Sequence, residues 1–249
     1  MSAPDIESIQ VNLNSRFALR YVANSKSYCV FDMGHVAVPS QHHIHMSVVS
    51  ATIPYSFYNV NNSNNLLMYT VAGSSYSLTI EPGNYNTNNL CFYLTQNMVS
   101  GFNVKYNSVT NKIMITNSSS DFSINSMSSC LEMLGLGSLN SVNKTIKSSY
   151  CCNMQTVESI SIHSSSIMTG NFNSKDVNVR NVLCNIPITS QPNSNIVYES
   201  DGSKFTINLY DNILTEMTLK VCDHNGMLID LNNCNWNITL QLDIVDFVN

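Results

Sequence analysis

Met217-Thr218-Leu219-Lys220-Val221-Cys222-Asp223-His224-Asn225-Gly226 decides the class of fold. Met217, Leu219 and Val221 alternate with Thr218 and Lys220, and a period of two gives a strand one dry face and one wet face. Asn225-Gly226 then supplies the positive φ angles of a tight hairpin turn, so Met227 to Leu231 are expected to return antiparallel. Upstream, Phe205, Ile207 and Leu209 alternate with Thr206 and Asn208 as a further strand. Downstream, Trp236, Ile238, Leu240, Leu242 and Ile244 share one face against Asn237, Thr239, Gln241 and Asp243. Val245 and Phe247 take the opposite parity around Asp246, which asks for a bulge or a strand end near Ile244. Trp236, the only tryptophan, has the bulk to floor a sandwich core.

Working outward, the same alternation recurs in short pieces. Ile9, Val11 and Leu13 form a first strand, Tyr28 to Phe31 a second, and His43 to Asn59 a long one that turns or ends at Pro54. Met1 to Glu7 shows no pattern and reads as a mobile arm. Leu66 to Val71 and Tyr76 to Ile80 make a hairpin around Gly73. A helix follows, capped by Asn86 or Thr87, with Leu90, Leu94 and Met98 on one stripe and Gly101 at its end. Phe102, Val104 and Tyr106 pair with Ile113 and Ile115, Phe122 and Ile124 continue extended, and Ser129 to Leu134 suggest a second short helix. Strands resume at Val157 to Ile162, Val182 to Ile188 and Ile196 to Tyr198. The expected architecture is all-β, an antiparallel β-sandwich over residues 1–65 and 138–249 carrying a small α/β insertion over 66–137.

Composition bounds the function. A chain of 249 residues that is 43% hydrophobic can bury a core. Only 11% of residues are charged, against about a quarter in ordinary domains, while Asn and Ser together exceed a quarter of the chain. Polarity is therefore carried by uncharged groups that hydrogen-bond neighbours without strong repulsion. A net charge of -5 with no Lys/Arg cluster argues against a groove for nucleic-acid phosphates. No apolar run is long enough for a membrane span, and Met1 to Gln10 lacks the regions of a signal peptide, so a product made and kept inside a cell is expected. Under that expectation the Asn-x-Ser/Thr matches at Asn61, Asn117, Asn143 and Asn237 are chance matches in an Asn-rich chain. Cys29, Cys91, Cys130, Cys151, Cys152, Cys184, Cys222 and Cys234 contain no Cys-x-x-Cys pair and read as free thiols.

No residue constellation points to catalysis. His42, His43 and His45 include a His-x-His pair that a strand would place on one face, but Met46 to Ala51 offers no acidic partner, so no metal is expected there. Nucleophile elbows and phosphate-binding glycine loops are missing. Asp223, Asp230, Asp243 and Asp246 lie near turns or on wet faces and read as solvated acids. Cys151-Cys152 is a vicinal pair with one side chain in and one out, without a redox assignment.

A family resemblance is carried by Asn181-Val182-Leu183-Cys184-Asn185-Ile186-Pro187-Ile188, by Asn208-Leu209-Tyr210-Asp211, by Leu219 to Gly226, by Leu228-Ile229-Asp230-Leu231 and by Trp236 to Leu240. Ile80-Glu81-Pro82-Gly83-Asn84-Tyr85 through Leu90, Phe102 to Tyr106 and Lys112-Ile113 form a second matching stretch. Together they resemble the jelly-roll penton and minor capsid proteins of large DNA viruses, virophages and polinton-like viruses. That resemblance implies a single jelly roll and a structural virion protein. It implies a homopentamer at the capsid vertex, packed among double jelly-roll major capsid subunits and other minor capsid proteins and assembled inside the host cell. It implies no cofactor and no catalytic or metal site. A virion-displayed carbohydrate- or receptor-binding jelly roll is the alternative.

Overall fold

A computed structural model describes residues 7–39, 42–137, 142–166, 181–201, 206–209 and 213–246. In chain order the first strands are β1 (Glu7–Asn14), β2 (Arg20–Tyr21), β3 (Tyr28–Ala37) and β4 (His42–Pro54). Next come β5 (Leu66–Val71), β6 (Ser74–Thr79), helix α1 (Thr87–Asn97), β7 (Phe102–Asn107), β8 (Lys112–Asn117), β9 (Phe122–Ile124) and β10 (Thr145–Lys147). The last are β11 (Ser159–Ser164), β12 (Val182–Pro187), β13 (Asn195–Glu199), β14 (Ile207–Asn208), β15 (Ile213–Asp223) and β16 (Asn237–Asp246). They divide into two compact units, one on either side in sequence of the other: residues 1–57 with 157–249, and residues 58–156.

The first unit is an antiparallel β-sandwich. One sheet runs β1-β16-β4-β13, with β14 also pairing β4, and the other runs β12-β11-β15-β3-β2. Taking the eight main strands in chain order, without the two-residue β2 and β14, the sheets read first-eighth-third-sixth and second-seventh-fourth-fifth. That interleaving of two four-stranded sheets is the jelly roll. Alternation builds the core between them. Ile44, Met46, Ile238, Leu240 and Leu242 from one sheet and Phe31, Met217, Leu219 and Val221 from the other belong to one buried cluster. Trp236, 1% exposed, closes that cluster edge-on to Phe31 at 6.0 Å and donates its indole N–H to the Lys26 carbonyl at 2.7 Å.

Several details differ from the pattern in the sequence. Of the alternating stretch from Phe205 to Leu209, Ile207–Asn208 form β14, while Phe205 and Phe247 lie outside the described residues, as does all but Glu7 of the arm expected from Met1 to Glu7. Glu7 already belongs to β1. No bulge occurs near Ile244: the ladder to β4 runs unbroken from Leu240 opposite Val48 to Asp246 opposite His42. The irregularity falls at Thr239 and Leu240, where β4 carries the extra residue Val49. The strand expected at Tyr28 to Phe31 continues to Ala37, because Gly34 and His35 take positive φ (65° and 64°) and Asp32 accepts from Gly34 N–H, absorbing surplus residues before the pairing resumes at Val36. After Asn225-Gly226 the chain does fold back, through the Cys222–Leu228 bridge and the Ile229 N–H bond to Val221.

The second unit has sheets β6-β5-β9 and β10-β8-β7 with α1 and a core of its own, including Leu67, Ile80, Leu90, Leu94, Ile113, Ile115 and Phe122. Val60 and Ile146, on either side of residues 66–137, are part of that core. Asn86 caps α1 by accepting from Asn89 N–H at 2.8 Å. Residues 129–134 form turns in place of the expected helix. Ser129 Oγ and Cys130 N–H are committed to the backbone of Leu66, so the segment starts as a tether to β5, with one helical bond from Leu134 N–H to Cys130 O.

The neck of this unit is organised by Asn59, 8% exposed. Its side-chain N–H groups donate to Tyr85 O (2.8 Å) and Met154 O (3.2 Å), and its Oδ1 accepts from Tyr85 N–H (2.9 Å). Its carbonyl accepts from Thr156 Oγ1 at 2.9 Å, which fastens the outgoing chain to the incoming one.

Candidate functional site

The outer face of the β1-β16-β4 sheet is a nearly uncharged polar surface. Because Ile44, Met46 and Val48 point into the core, strand geometry turns His43, His45 and Ser47 outward. Thr239 Oγ1 donates to Asn12 Oδ1 at 2.8 Å, and Gln241 Nε2 lies 3.4 Å from Ser8 Oγ, so β1 and β16 are laced by neutral groups. His43 and His45 meet at 2.8 Å between their Nε2 atoms, with ring centroids 4.5 Å apart. Asp243 is the register partner of His45, and its Oδ1 accepts from Ser8 Oγ at 2.5 Å and Gln241 Nε2 at 2.6 Å. Burial lowers the His45 pKa, the neighbouring His43 lowers it further, and Asp243 opposes both.

The acid that the sequence lacks close to the histidine pair is thus supplied from the other end of the chain. Even so, among the described residues no group of three His, Cys, Asp or Glu side chains is arranged to hold a metal ion. Asp243, 8% exposed, is thus a buried acceptor where a solvated acid was expected, whereas Asp223 and Asp230 serve local turns. Asp223 Oδ1 accepts from the N–H groups of Asn225 and Met227 at 2.8 and 2.9 Å, and Asp230 Oδ1 accepts from Asn232 N–H at 2.8 Å. The Asp246 side chain lies outside the described residues.

A second polar cluster joins Ser161 and His163 of β11 to Asn181, which precedes β12 and is distant from them in sequence. Ser161 Oγ lies 2.8 Å from His163 Nε2, and His163 Nδ1 lies 3.2 Å from Asn181 Oδ1. The order of groups is that of a serine nucleophile, its base and an orienting amide. Its surroundings differ from those of a hydrolase, since Ser161 and His163 are only 3% and 5% exposed, and Ser161 Oγ abuts the carbonyl oxygens of Asp223 (3.1 Å) and Cys222 (3.4 Å). Acceptors stand where an oxyanion needs donors. The arrangement ties β11 to β15.

All eight cysteines are free. Burial raises the thiol pKa of Cys29, Cys130 and Cys184 to about 12 and of Cys91 and Cys222 to about 11, which keeps them protonated and poorly nucleophilic. Of the vicinal pair, Cys151 is exposed and Cys152 half-buried, its Sγ 3.8 Å from Thr87 Oγ1 at the start of α1.

No protein-family model and no curated protein matches the chain. Among solved structures, the mavirus penton protein has the same fold, with a TM-score of 0.54 over 96% of this chain and 100% of that one at 10% identity. The Sputnik virophage structure aligns over 98% of each chain at 13% identity with a TM-score of 0.45.

Proposed function

We propose that this chain, built on the fold of the mavirus penton protein, is a structural virion protein that acts by assembling, as a homopentamer at the capsid vertex among double jelly-roll major capsid subunits. The observation that carries the reading is the extent of the shared fold: jelly roll and second unit together, over 96% of this chain and all of the penton chain. Surface chemistry supports it. Side chains such as Asn12, Thr239, Gln241 and Ser8 offer neutral hydrogen bonds, and a chain with 11% charged residues places little like charge between identical neighbours. In a ring each subunit presents two different flanks, so identical copies can close a symmetric opening without a second protein. The reading assigns the chain no catalytic step, cofactor or metal, and its function is geometric.

The test is to place the chain in a particle reconstruction and to weigh the purified protein by native mass spectrometry. Density at every fivefold axis and a mass of five chains are expected. Density confined to other positions removes the vertex assignment, and absence from purified particles removes the virion assignment.

A further inference from the structure

We propose that His43 and His45 form an acid-operated contact on the outer face of the first sheet, sharing a single N–H between their Nε2 atoms until both rings are protonated, and parting when they are. This goes beyond the virion reading and stands on the geometry of one sheet. A separation of 2.8 Å between two Nε2 atoms is a hydrogen bond only when one nitrogen carries a hydrogen and the other offers its lone pair. Two imidazolium rings bring two N–H groups and two positive charges to the same gap, so the doubly protonated pair cannot keep the contact.

The groups facing the pair decide the order of events. From β16, Asp243 is the register partner of His45, Val245 of His43 and Asp246 of His42. From β14, neutral Asn208 lies opposite His45, and β13 brings Glu199 opposite Ser50, further along β4. β1 places Ser8 opposite Asp243 and Glu7 opposite Ile244. The first added proton charges one ring, is favoured by Asp243 and leaves the single N–H in the gap. Protonation of the other ring is opposed by partial burial and then by the charge already there; burial first, and His43 after it, hold His45 below the ordinary histidine value. Once charged, an imidazolium at position 45 competes with Ser8 and Gln241 for the Asp243 carboxylate, which links β1 to β16. Acid therefore opens the histidine pair and loosens a side-chain bridge to the N-terminal strand.

Histidine-labelled full-length chain, followed by NMR from pH 8 to 4.5 in chelator-treated buffer, tests this. His45 is expected to titrate below the ordinary histidine value of about 6.5, with ring-to-ring contacts vanishing across that step. In His43→Gln the remaining ring should titrate in one step closer to the ordinary value, with Trp236 fluorescence reporting that the sandwich is intact. If that variant does not fold, the wild-type titration decides alone. Titration of His45 at or above the ordinary value, or ring contacts that persist below its step, overturns the proposal. So does a transition-metal ion retained one per chain between the rings after chelation.

Discussion

Trp236 joins three interactions in one side chain: full burial, an edge-on contact with Phe31 and a hydrogen bond to the Lys26 carbonyl. Truncation to Ala leaves a cavity that closely packed neighbours cannot fill, so a loss of about 3–5 kcal/mol is expected in urea unfolding. Trp236→Phe, which keeps most of the packing and loses the N–H, should cost clearly less. Emission of the wild-type protein should lie well to the blue of water-exposed indole. His163 gives a pH-dependent counterpart. Burial lowers its pKa, the cross-strand Lys220 adds to the lowering, and the bond to Asn181 opposes it. A histidine held below its unfolded value of about 6.5 takes up protons first in the unfolded chain. Its contribution is therefore complete above that pH and lost as pH falls through the lower folded value. Melting at pH 7.5 and 5.0 should show that loss, reduced in His163→Gln; an equal loss in the variant would place the acid sensitivity elsewhere. Trp236 was legible because one bulky apolar residue at the head of an alternating strand has one sensible destination. Asn59 and the Ser161–His163–Asn181 chain were not, since polar side chains are positioned by partners distant in sequence.

At the scale of elements, legibility followed periodicity. β15, β16 and α1 were readable because enough residues repeat at 2.0 or 3.6 for the dry face to show, and α1 also has a cap. Residues 129–134 were not: the segment is short enough for its hydrogen bonds to Leu66 of β5 to override local preference. The same turn contains a sharp requirement. Gly135 has φ +66°, and a Cβ there would meet the Tyr150 carbonyl and sit 2.7 Å from that of Cys151. Both contacts are backbone, and Tyr150 N–H is bonded to Gly135 O, so neither chain can step aside freely. Gly135→Ala combines left-handed strain of about 1–2 kcal/mol with that collision. The variant should expose the segment around Tyr150 to limited proteolysis faster than wild type, and equal cleavage rates would show that the turn relaxes.

For the whole molecule, the alternating fold of the jelly roll could be anticipated, whereas its strand order could not, because the eight main strands pair across up to 236 intervening positions, as between Glu7 and Ile244. Residues 58–156 have their own core and their own closed neck, and we expect them, expressed alone, to fold cooperatively with α1 helicity retained. Asn59→Ala should lower the stability of that fragment by about 1–3 kcal/mol by removing the side chain that satisfies part-buried backbone groups of Tyr85 and Met154. A fragment that shows no cooperative melting would mean that this unit depends on the flanking chain.

The Thr156–Asn59 bond also bears on the order in which the chain finds its fold. To bring β4 and β11 into one sandwich, an unstructured chain must close a loop of roughly a hundred residues. With the neck fastened first, the same two strands are separated by only a few effective residues, and the logarithmic cost of closure falls by about 2–3 kcal/mol. A folded insertion therefore shortens the search for the surrounding strands, acting on the host as a preformed turn.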